Sequence, residues 1–289
     1  MKSQTIQQFF KQFPSDAACL EHVMIARFGM QSDCPKCEKA TRWSRVASQR
    51  AYACQWCGHH AYPCVGTPFE SSRTSLQLWF YAIYLFTQTR SGVSAKELQR
   101  QLGVTYKAAW RMGHEIRKHM AAVDGDEPLG GTVEVDETYI GGKTPGKRGR
   151  GAGGKTIVMG MMEKDGDVMT KIVPNVKRGT LQPIISENVE AGSIIHTDEL
   201  RSYNGLAAKG FSYETVNHGR GEYARDSIHV NSIESFWSRL KLSIKGTHVH
   251  VSGKHLAKYA QEFEYRFNSR QHPERMISDL LLTYPQAKK

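Results

Sequence analysis

Four cysteines in the first part of the chain constrain its fold more strongly than any other feature of the sequence. They form two C-x2-C pairs with sixteen residues between the pairs, and the four are Cys34, Cys37, Cys54 and Cys57. This spacing is typical of a zinc ribbon, in which four thiolates hold one structural Zn²⁺ ion in tetrahedral geometry. The alternative is four unrelated buried thiols, but two pairs of identical internal spacing argue against it. Cys19 and Cys64 stand outside the pattern and are predicted to be small core residues.

The charge of the chain indicates an anionic partner. Its 289 residues carry a formal net charge of +11 and give a pI near 9.3, and nucleic acid is the commonest partner of such proteins. Charge alone leaves open a basic enzyme that binds no nucleic acid. The amino terminus lacks a secretory signal, and the longest apolar stretch, residues 76–86, is too short to span a membrane. We therefore expect a reducing, cytoplasmic location without a membrane partner, where paired cysteines bind metal more often than they form disulfides.

Three regions follow from changes in composition and periodicity along the chain. Residues 1–70 carry the cysteines, residues 71–127 are predicted to be helical, and residues 128–289 alternate strands and helices. The stretch 121–131, with its acids, glycines and proline, is the predicted linker. In the last region we predict strands at 132–140, 157–163, 168–173, 193–198 and 213–216, and helices at 180–189, from 231 onward and at 254–270. This order is an α/β arrangement compatible with a ribonuclease-H-like sheet.

Three carboxylates in this last region suggest a metal-dependent enzyme. Asp136 and Asp198 each end an apolar, strand-like segment, and Glu234 follows Asp198 by 36 positions on a predicted helix. In a ribonuclease-H-like sheet the two aspartates would lie side by side. Such a set suits two Mg²⁺ or Mn²⁺ ions, which prefer oxygen ligands and together promote in-line phosphoryl displacement. The alternative is that the aspartates are turn or cap residues and that Glu234 belongs to an ordinary exposed Glu–Lys pair.

The predicted helix carries two further candidates. Lys241 follows Glu234 by seven residues, so both lie on nearly one line of the helix, two turns apart. Glu234 can then face a metal ion while Lys241 reaches a neighbouring phosphate. Asn231 lies on an adjacent part of the same face and is a second candidate ligand. We predict Glu234 as the third ligand, with Asn231 assisting. Three nearby acids could be confused with the ligands, namely Glu134, Glu137 and Glu199.

Residues 94–118 have the pattern of a helix-turn-helix. Ser94 and Glu97 form a capping box at the start of one helix, and Gly103 supplies the turn before the next. The second helix would present Lys107 and Arg111 to the major groove of DNA. The alternative is an ordinary helical hairpin with a solvated basic face.

A glycine-rich basic loop at residues 141–155 follows the first predicted strand. It lacks the glycine spacing of a phosphate-binding Walker loop. Beside Asp136 it could grip DNA phosphates, and a solvated loop that orders on DNA is compatible with that role. Its predicted DNA-binding residues are Lys143, Lys147, Arg148, Arg150 and Lys155.

Taken together, these motifs resemble those of bacterial insertion-sequence transposases that combine an amino-terminal zinc ribbon with a DDE-type catalytic domain. The match extends over nearly the whole chain. It is carried by the two cysteine pairs, by Val135-Asp136-Glu-Thr-Tyr-Ile-Gly-Gly-Lys143, by His196-Thr-Asp198, and by Val230-Asn-Ser-Ile-Glu-Ser-Phe-Trp-Ser-Arg-Leu-Lys241. In this family the third acidic position can be Asn, which leaves Asn231 and Glu234 as competing assignments.

The resemblance implies cleavage of the element ends followed by strand transfer into target DNA, with Mg²⁺ or Mn²⁺ and no covalent protein–DNA intermediate. The expected partners are double-stranded DNA, as terminal inverted repeats and target, and further copies of the chain in a homodimer or larger assembly on DNA. Two other functions remain open at this stage. One is a zinc-ribbon and helix-turn-helix regulator with vestigial carboxylates, and the other is a ribonuclease-H-like nuclease that cuts without joining.

Overall fold

A computed structural model describes residues 4–142, 154–215 and 230–284, and the chain divides into two compact units. The first contains the chain up to residue 123 and from 271 onward, and the second contains residues 124–270. The second unit therefore begins inside the predicted linker. Its end differs from the predicted catalytic region of 128–289, because the last helix packs against two helices of the first unit.

The first unit combines a small sheet with helices. The sheet is antiparallel and has the order β1-β2-β3-β4. Its strands are β1 (Gln31–Asp33), β2 (Ala40–Val46), β3 (Ala51–Cys54) and β4 (His60–Ala61). The helices are α1 (Ile6–Gln12), α2 (Asp16–Phe28), α3 (Leu76–Gln88), α4 (Ala95–Leu102), α5 (Tyr106–Asp124) and α9 (Met276–Leu282). Cys19 and Cys64 are buried, as predicted.

Helices α4 and α5 follow each other with a short turn between them, and their assignment as a helix-turn-helix stays a prediction. The Ser94 hydroxyl accepts a hydrogen bond from the Glu97 N–H at 3.1 Å and so caps α4. Gly103 ends α4 in the left-handed region, with φ of 64°, a conformation that favours glycine. The binding of DNA by this pair of helices stays a prediction.

The second unit is a mixed α/β fold around a five-stranded sheet of order β7-β6-β5-β8-β9. Strands β5, β6 and β7 pair antiparallel, whereas β8 runs parallel to both β5 and β9. The strands are β5 (Thr132–Ile140), β6 (Thr156–Glu163), β7 (Val168–Val173), β8 (Ile194–Thr197) and β9 (Ser212–Thr215). The helices are α6 (Arg178–Asn188), α7 (Asn231–Ser243), extended by a π-helical turn at Ile244–His248, and α8 (Gly253–Asn268). These bounds agree with the predicted elements within about three residues at each end.

Shorter 3₁₀ turns complete the chain, at Arg201–Tyr203, Leu206–Lys209, Ser269–Gln271 and Pro273–Arg275. In the described part of the chain, no helix combines the length and the apolar character needed to cross a bilayer.

The sheet of the second unit separates two apolar cores. Val133 and Val135 of β5 pack with Leu181 of α6 in one core. In the other, Ile140 of β5 packs with Ile233 of α7, together with residues of α8. Successive strand residues point to opposite faces, so Glu134, Asp136 and Thr138 share the face of Ile140. Strand β5 thus presents Glu134 and Asp136 to α7, which positions the candidate site.

Two carboxyl groups of the second unit have little opposing charge, and of these Glu264 is buried and Asp124 is half-buried. The Glu264 carboxylate accepts hydrogen bonds from the Thr170 N–H at 2.7 Å and from its hydroxyl at 2.5 Å. The Asp124 carboxylate accepts from the Asn268 amide at 3.1 Å. Both acids line a cavity of about 180 Å³ that also contains Glu163. Burial raises the pKa of Glu264 to about 8 and that of Asp124 to about 7.

These raised pKa values predict a loss of stability with rising pH. In the folded state both acids hold their protons at a pH where the unfolded chain has lost them. Their contribution is therefore complete below about pH 4 and falls as the pH rises through the folded pKa values. Glu264→Gln removes one titrating group, so the decrease in the free energy of unfolding between pH 5 and 8 should be smaller than in the wild type. Denaturant unfolding at both pH values measures this, and an equal decrease in the two proteins would contradict it.

Candidate active site and zinc site

The two cysteine pairs come together at one end of the small sheet. The Sγ atoms of Cys34 and Cys57 lie 3.7 Å apart, and those of Cys37 and Cys54 lie 3.8 Å apart. All four sulfur atoms lie within 4.8 Å of one another. Four thiols at this spacing fit a tetrahedral Zn²⁺ site that leaves no position for a substrate, so the zinc is structural.

The two cysteine turns have the same backbone design. The N–H of Glu38 donates to the carbonyl of Cys34 at 2.8 Å, and the N–H of Gly58 donates to that of Cys54 at 3.0 Å. Glu38 and Gly58 both have a positive φ, of 58° and 69°. Each turn therefore reverses tightly after its second cysteine, and the two pairs present their sulfur atoms in the same way.

Asp136 and Asp198 lie beside each other on neighbouring parallel strands. Val135 of β5 is opposite Thr197 of β8, so the next residue of each strand is one of the two aspartates. Burial, together with the nearby carboxylates of Glu137 and Asp198, raises the pKa of Asp136 to about 7. Two carboxyl groups that disfavour each other's charge at a sheet edge form the kind of pair that a divalent cation stabilises.

A tryptophan of α7 holds Asp136 in place. The Trp237 indole N–H donates to the Asp136 carboxylate at 3.1 Å, and the ring is buried. Gly160 of β6 lies opposite Asp136, and a methyl group there would lie 2.5 Å from the Trp237 ring. The absence of a side chain at Gly160 is therefore what allows the indole to lie against the strand and reach the carboxylate.

A second carboxylate of β5 fixes the start of α7. The N-cap residue Val230 gives no side-chain hydrogen bond, and the N–H of Ile233 instead donates to the buried Glu134 carboxylate at 2.9 Å. An acid at a helix amino terminus satisfies an unpaired N–H and interacts favourably with the helix dipole. On the other face of β5, Glu137 accepts a hydrogen bond from the Tyr203 hydroxyl at 2.9 Å.

The remaining predicted residues of α7 lie on its exposed side. Asn231, Glu234 and Lys241 are all exposed. The pKa of Lys241 is lowered, mainly because part of its side chain is buried. The Asp136 carboxylate opposes this shift and Lys155 adds to it, so Lys241 lies in the electrostatic field of both groups. Within the described ranges, the cysteines are the only group of three or more His, Cys, Asp or Glu side chains whose ligand atoms lie within 4.8 Å of one another. The structure thus places Asp136 and Asp198 at neighbouring strand positions but does not bring the three carboxylates within that distance of one another, and the role of Glu234 stays a prediction.

The predicted DNA-binding residues differ in their surroundings. Lys107 and Lys155 are exposed. Arg111 is half-buried, donates to the carbonyl of Glu70 at 2.7 Å and lies 5.9 Å from the centroid of the Trp79 ring. Its guanidinium therefore stabilises the first unit, which the sequence did not indicate. The other four lie outside the described residues, and these are Lys143, Lys147, Arg148 and Arg150.

Comparison with known proteins identifies both parts of the chain. Residues 14–60 match the profile of the transposase zinc-ribbon domain, and residues 128–268 match that of the ISXO2-like transposase domain. An uncharacterized transposase-like protein of Haemophilus influenzae is 37% identical over 102 residues, which are 35% of this chain and 81% of the relative. The chain belongs to this family of insertion-sequence transposases. The resemblance inferred from the sequence motifs is thereby confirmed, as is its function as a DNA transposase.

Two further comparisons extend over more of the transposase. An uncharacterized protein in the transposable element ISH50 of Halobacterium salinarum is 28% identical over 253 residues, covering 81% of this chain and 84% of the relative. Two solved structures of Mos1 transposase, a pre-cleavage transpososome and a paired-end complex, cover 72% and 71% of this chain and 80% of theirs. Both are 13% identical, with TM-scores of 0.27 and 0.24.

The sequence predicted the acids of the transposase site but missed the residues that hold them. Gly160 interrupts an otherwise apolar strand, and such a glycine often marks a close approach of another group. Trp237 lies three residues after Glu234 in the same helix, where an aromatic side chain indicates packing against the sheet and gives no sign of a bond to Asp136. Glu134 was considered only as an acid that could be confused with a ligand. Its burial next to the start of α7 has no signal in the sequence.

Replacing Gly160 by alanine tests the support of Asp136. The added methyl group would collide with the Trp237 ring, so we expect the indole to move and its hydrogen bond to Asp136 to break. Overpacking of this kind costs about 1–3 kcal/mol of stability. Urea unfolding and the tryptophan emission spectrum measure both effects. Gly179→Ala is the matched control, because open space surrounds that glycine. Equal stabilities for the two variants would show that the Trp237 contact is not tight.

Loss of one thiolate tests the zinc site. Cys54→Ser should release the zinc and unfold β1–β4, because metal binding and folding of such small domains are coupled. The second unit, which has its own cores, should stay folded. Elemental analysis and limited proteolysis measure the two outcomes, with Cys64→Ser as the control because Cys64 lies outside the quartet. Wild-type protein purified without chelator but free of zinc would contradict the assignment.

Proposed function

We propose that this transposase cuts the ends of its element and joins them to target DNA by two-metal-ion catalysis on a ribonuclease-H-like sheet. The strongest support comes from the register of β5 and β8. Val135 and Thr197 lie opposite each other on these adjacent parallel strands, and Asp136 and Asp198 are the residues that follow them. The sheet order β7-β6-β5-β8-β9, with three antiparallel strands followed by two parallel ones, agrees with that fold. Carboxylate oxygens on strand ends are suitable ligands for Mg²⁺ or Mn²⁺.

The surroundings of the two aspartates favour a cation. Burial and the neighbouring acids raise the pKa of Asp136, and positive charge placed between Asp136 and Asp198 would relieve their repulsion. We assign Glu234 as the third ligand, with Asn231 assisting. When bound, the two ions would promote attack by water or a 3′-hydroxyl and stabilise the leaving oxygen.

The residues around the acids have supporting roles in this proposal. Trp237 keeps the Asp136 carboxylate oriented toward the site. Lys241, close to both Asp136 and Lys155, would bind a DNA phosphate next to the bond that is cut. Lys107 on α5 would also contact DNA, with a salt-dependent contribution to affinity.

The partners follow from the reaction. Joining both ends of an element to one target requires the ends to be held together, so we infer that two or more copies of the chain act on DNA. Free thiols that form a metal site rather than disulfides fit a reducing cytoplasm.

Substitution of single acids separates the proposed ligands. Asp136→Ala, Asp198→Ala and Glu234→Gln should each abolish cleavage and strand transfer while DNA binding survives. Asn231→Ala should retain reduced activity, because an amide supplies an oxygen dipole but no charge to two divalent ions. Strand-transfer assays on pre-cleaved element ends with Mg²⁺ and Mn²⁺ measure this. Glu199→Gln is the matched control, an exposed acid beside Asp198 that should stay active.

Three outcomes would change the proposal. An active Glu234→Gln together with an inactive Asn231→Ala would assign the third ligand to Asn231. Cutting without joining in the wild type would identify a nuclease. Binding of element ends with neither reaction would identify a DNA-binding regulator.

A further inference from the structure

The segment that follows α7 contains an unusual backbone turn. Val249 has φ of 64° and ψ of −53°, and the N–H of His250 donates to the carbonyl of His248 at 2.7 Å. This is a γ-turn with a positive central φ, a rare and strained conformation for any residue and especially for a β-branched one. The Val249 side chain is 82% exposed, so no burial of its own compensates for the strain.

The surrounding structure holds this turn in place. Ile244 before it and Val251 after it are buried in the core beneath α7 and α8. The His248 ring packs edge-on against Tyr259 of α8, with centroids 4.7 Å apart. The chain enters the turn from a π-helical turn at Ile244–His248. Strained backbone with firm anchors on both sides is found most often at functional sites, as are π-helical turns.

The turn forms one wall of a cavity of about 240 Å³. Ile140, Ile244 and Val251 give the cavity apolar surface, and Tyr139 also lines it. Gly141 and Gly142 line it as well and are exposed. Its polar side chains come from Lys241, Lys245 and His250, which are exposed.

Lys241 connects the cavity to the candidate active site. It lines the cavity, and it lies one helical turn after Trp237, whose indole binds Asp136. A ligand in the cavity would therefore lie next to the position where the proposed chemistry takes place.

We propose that this cavity binds one unstacked nucleotide of the DNA beside the bond that is cut, with Val249 filling the gap left in the base stack. The proposal rests on the proposed function. A phosphate alone would need the lysines but no apolar wall, and an apolar ligand would need the wall but no lysines. A nucleotide has both parts, and enzymes that extrude a base bind it between aromatic and apolar side chains. Apolar side chains that enter a base step unstack it.

The test uses duplexes of the element ends with 2-aminopurine, whose fluorescence increases when it is unstacked, at successive positions around the cleavage site. The full-length, zinc-containing transposase is added before any Mg²⁺ or Mn²⁺, so that binding is measured without cutting. We expect a several-fold increase in fluorescence at one position. Val249→Gly and Lys245→Ala should each reduce that increase by more than half. Glycine adopts a φ of 64° without strain, so Val249→Gly should fold at least as well as the wild type.

Two control variants separate this effect from general changes of charge or surface. Lys209→Ala removes an exposed lysine from a 3₁₀ turn, and Ile172→Ala removes a partly exposed apolar side chain from β7. Both should keep the full increase in fluorescence. If Val249→Gly and Lys245→Ala both show the full increase in fluorescence, the assignment of the nucleotide to this cavity is wrong.

The proposal and the proposed function fail in different ways. If the wild type binds, cuts and joins the ends but fluorescence rises at no position, the nucleotide site is wrong and the two-metal reaction stands. If fluorescence rises and depends on Val249 while no cutting or joining occurs with either metal, the nucleotide site stands and the proposed reaction is wrong.

Discussion

The contact between β5 and α7 is the interaction on which the candidate site depends. Two carboxylates of one strand, Glu134 and Asp136, accept hydrogen bonds from the backbone of Ile233 and the indole of Trp237. One carboxylate fixes the start of the helix and the other binds a side chain one turn later. Together they determine how far α7 lies along β5 and which of its faces meets the sheet. The proposed roles of Glu234 and Lys241 beside Asp136 depend on that register.

This arrangement explains why acids of similar sequence context have different roles. On one face of β5, Glu134 is fully buried and caps a helix, whereas Asp136 is only partly buried and lies at the sheet edge beside Asp198. On the other face, Glu137 is bound to Tyr203. Alternation along the strand separates Glu137 from the other two acids, and position along the strand separates Glu134 from Asp136. Only Asp136 combines a neighbouring acid with access to the outside, which are the requirements of a metal ligand that must also meet DNA.

Much of this fold could be predicted because its signals are local. Cysteine spacing determines a ribbon whatever surrounds it, and apolar alternation marked β5, β6 and β7 with nearly correct ends. The pairing of Asp136 with Asp198 required a fold hypothesis, since two strands 62 positions apart in sequence show no sign of being neighbours. What could not be predicted depends on contacts between distant segments. The cap from Glu134 to α7, the partner of Arg111 at Glu70, and the packing of α9 with α2 and α3 all belong to this class.

Residues with a positive φ shape both the zinc site and the segment beside the acidic site. In the ribbon, the positive φ values of Glu38 and Gly58 close two turns so that four sulfur atoms converge and the coordination sphere is complete. In the second unit, the positive φ of Val249 turns an apolar side chain outward and leaves a cavity open beside Lys241. In the ribbon, the free energy of zinc binding would compensate for backbone strain in the two turns, because metal binding and folding are coupled. The strained turn at Val249 is held by the packing of the segments on either side of it, yet the valine side chain itself is exposed. In the proposed nucleotide site, DNA in the cavity next to Val249 would supply the contact that this side chain lacks.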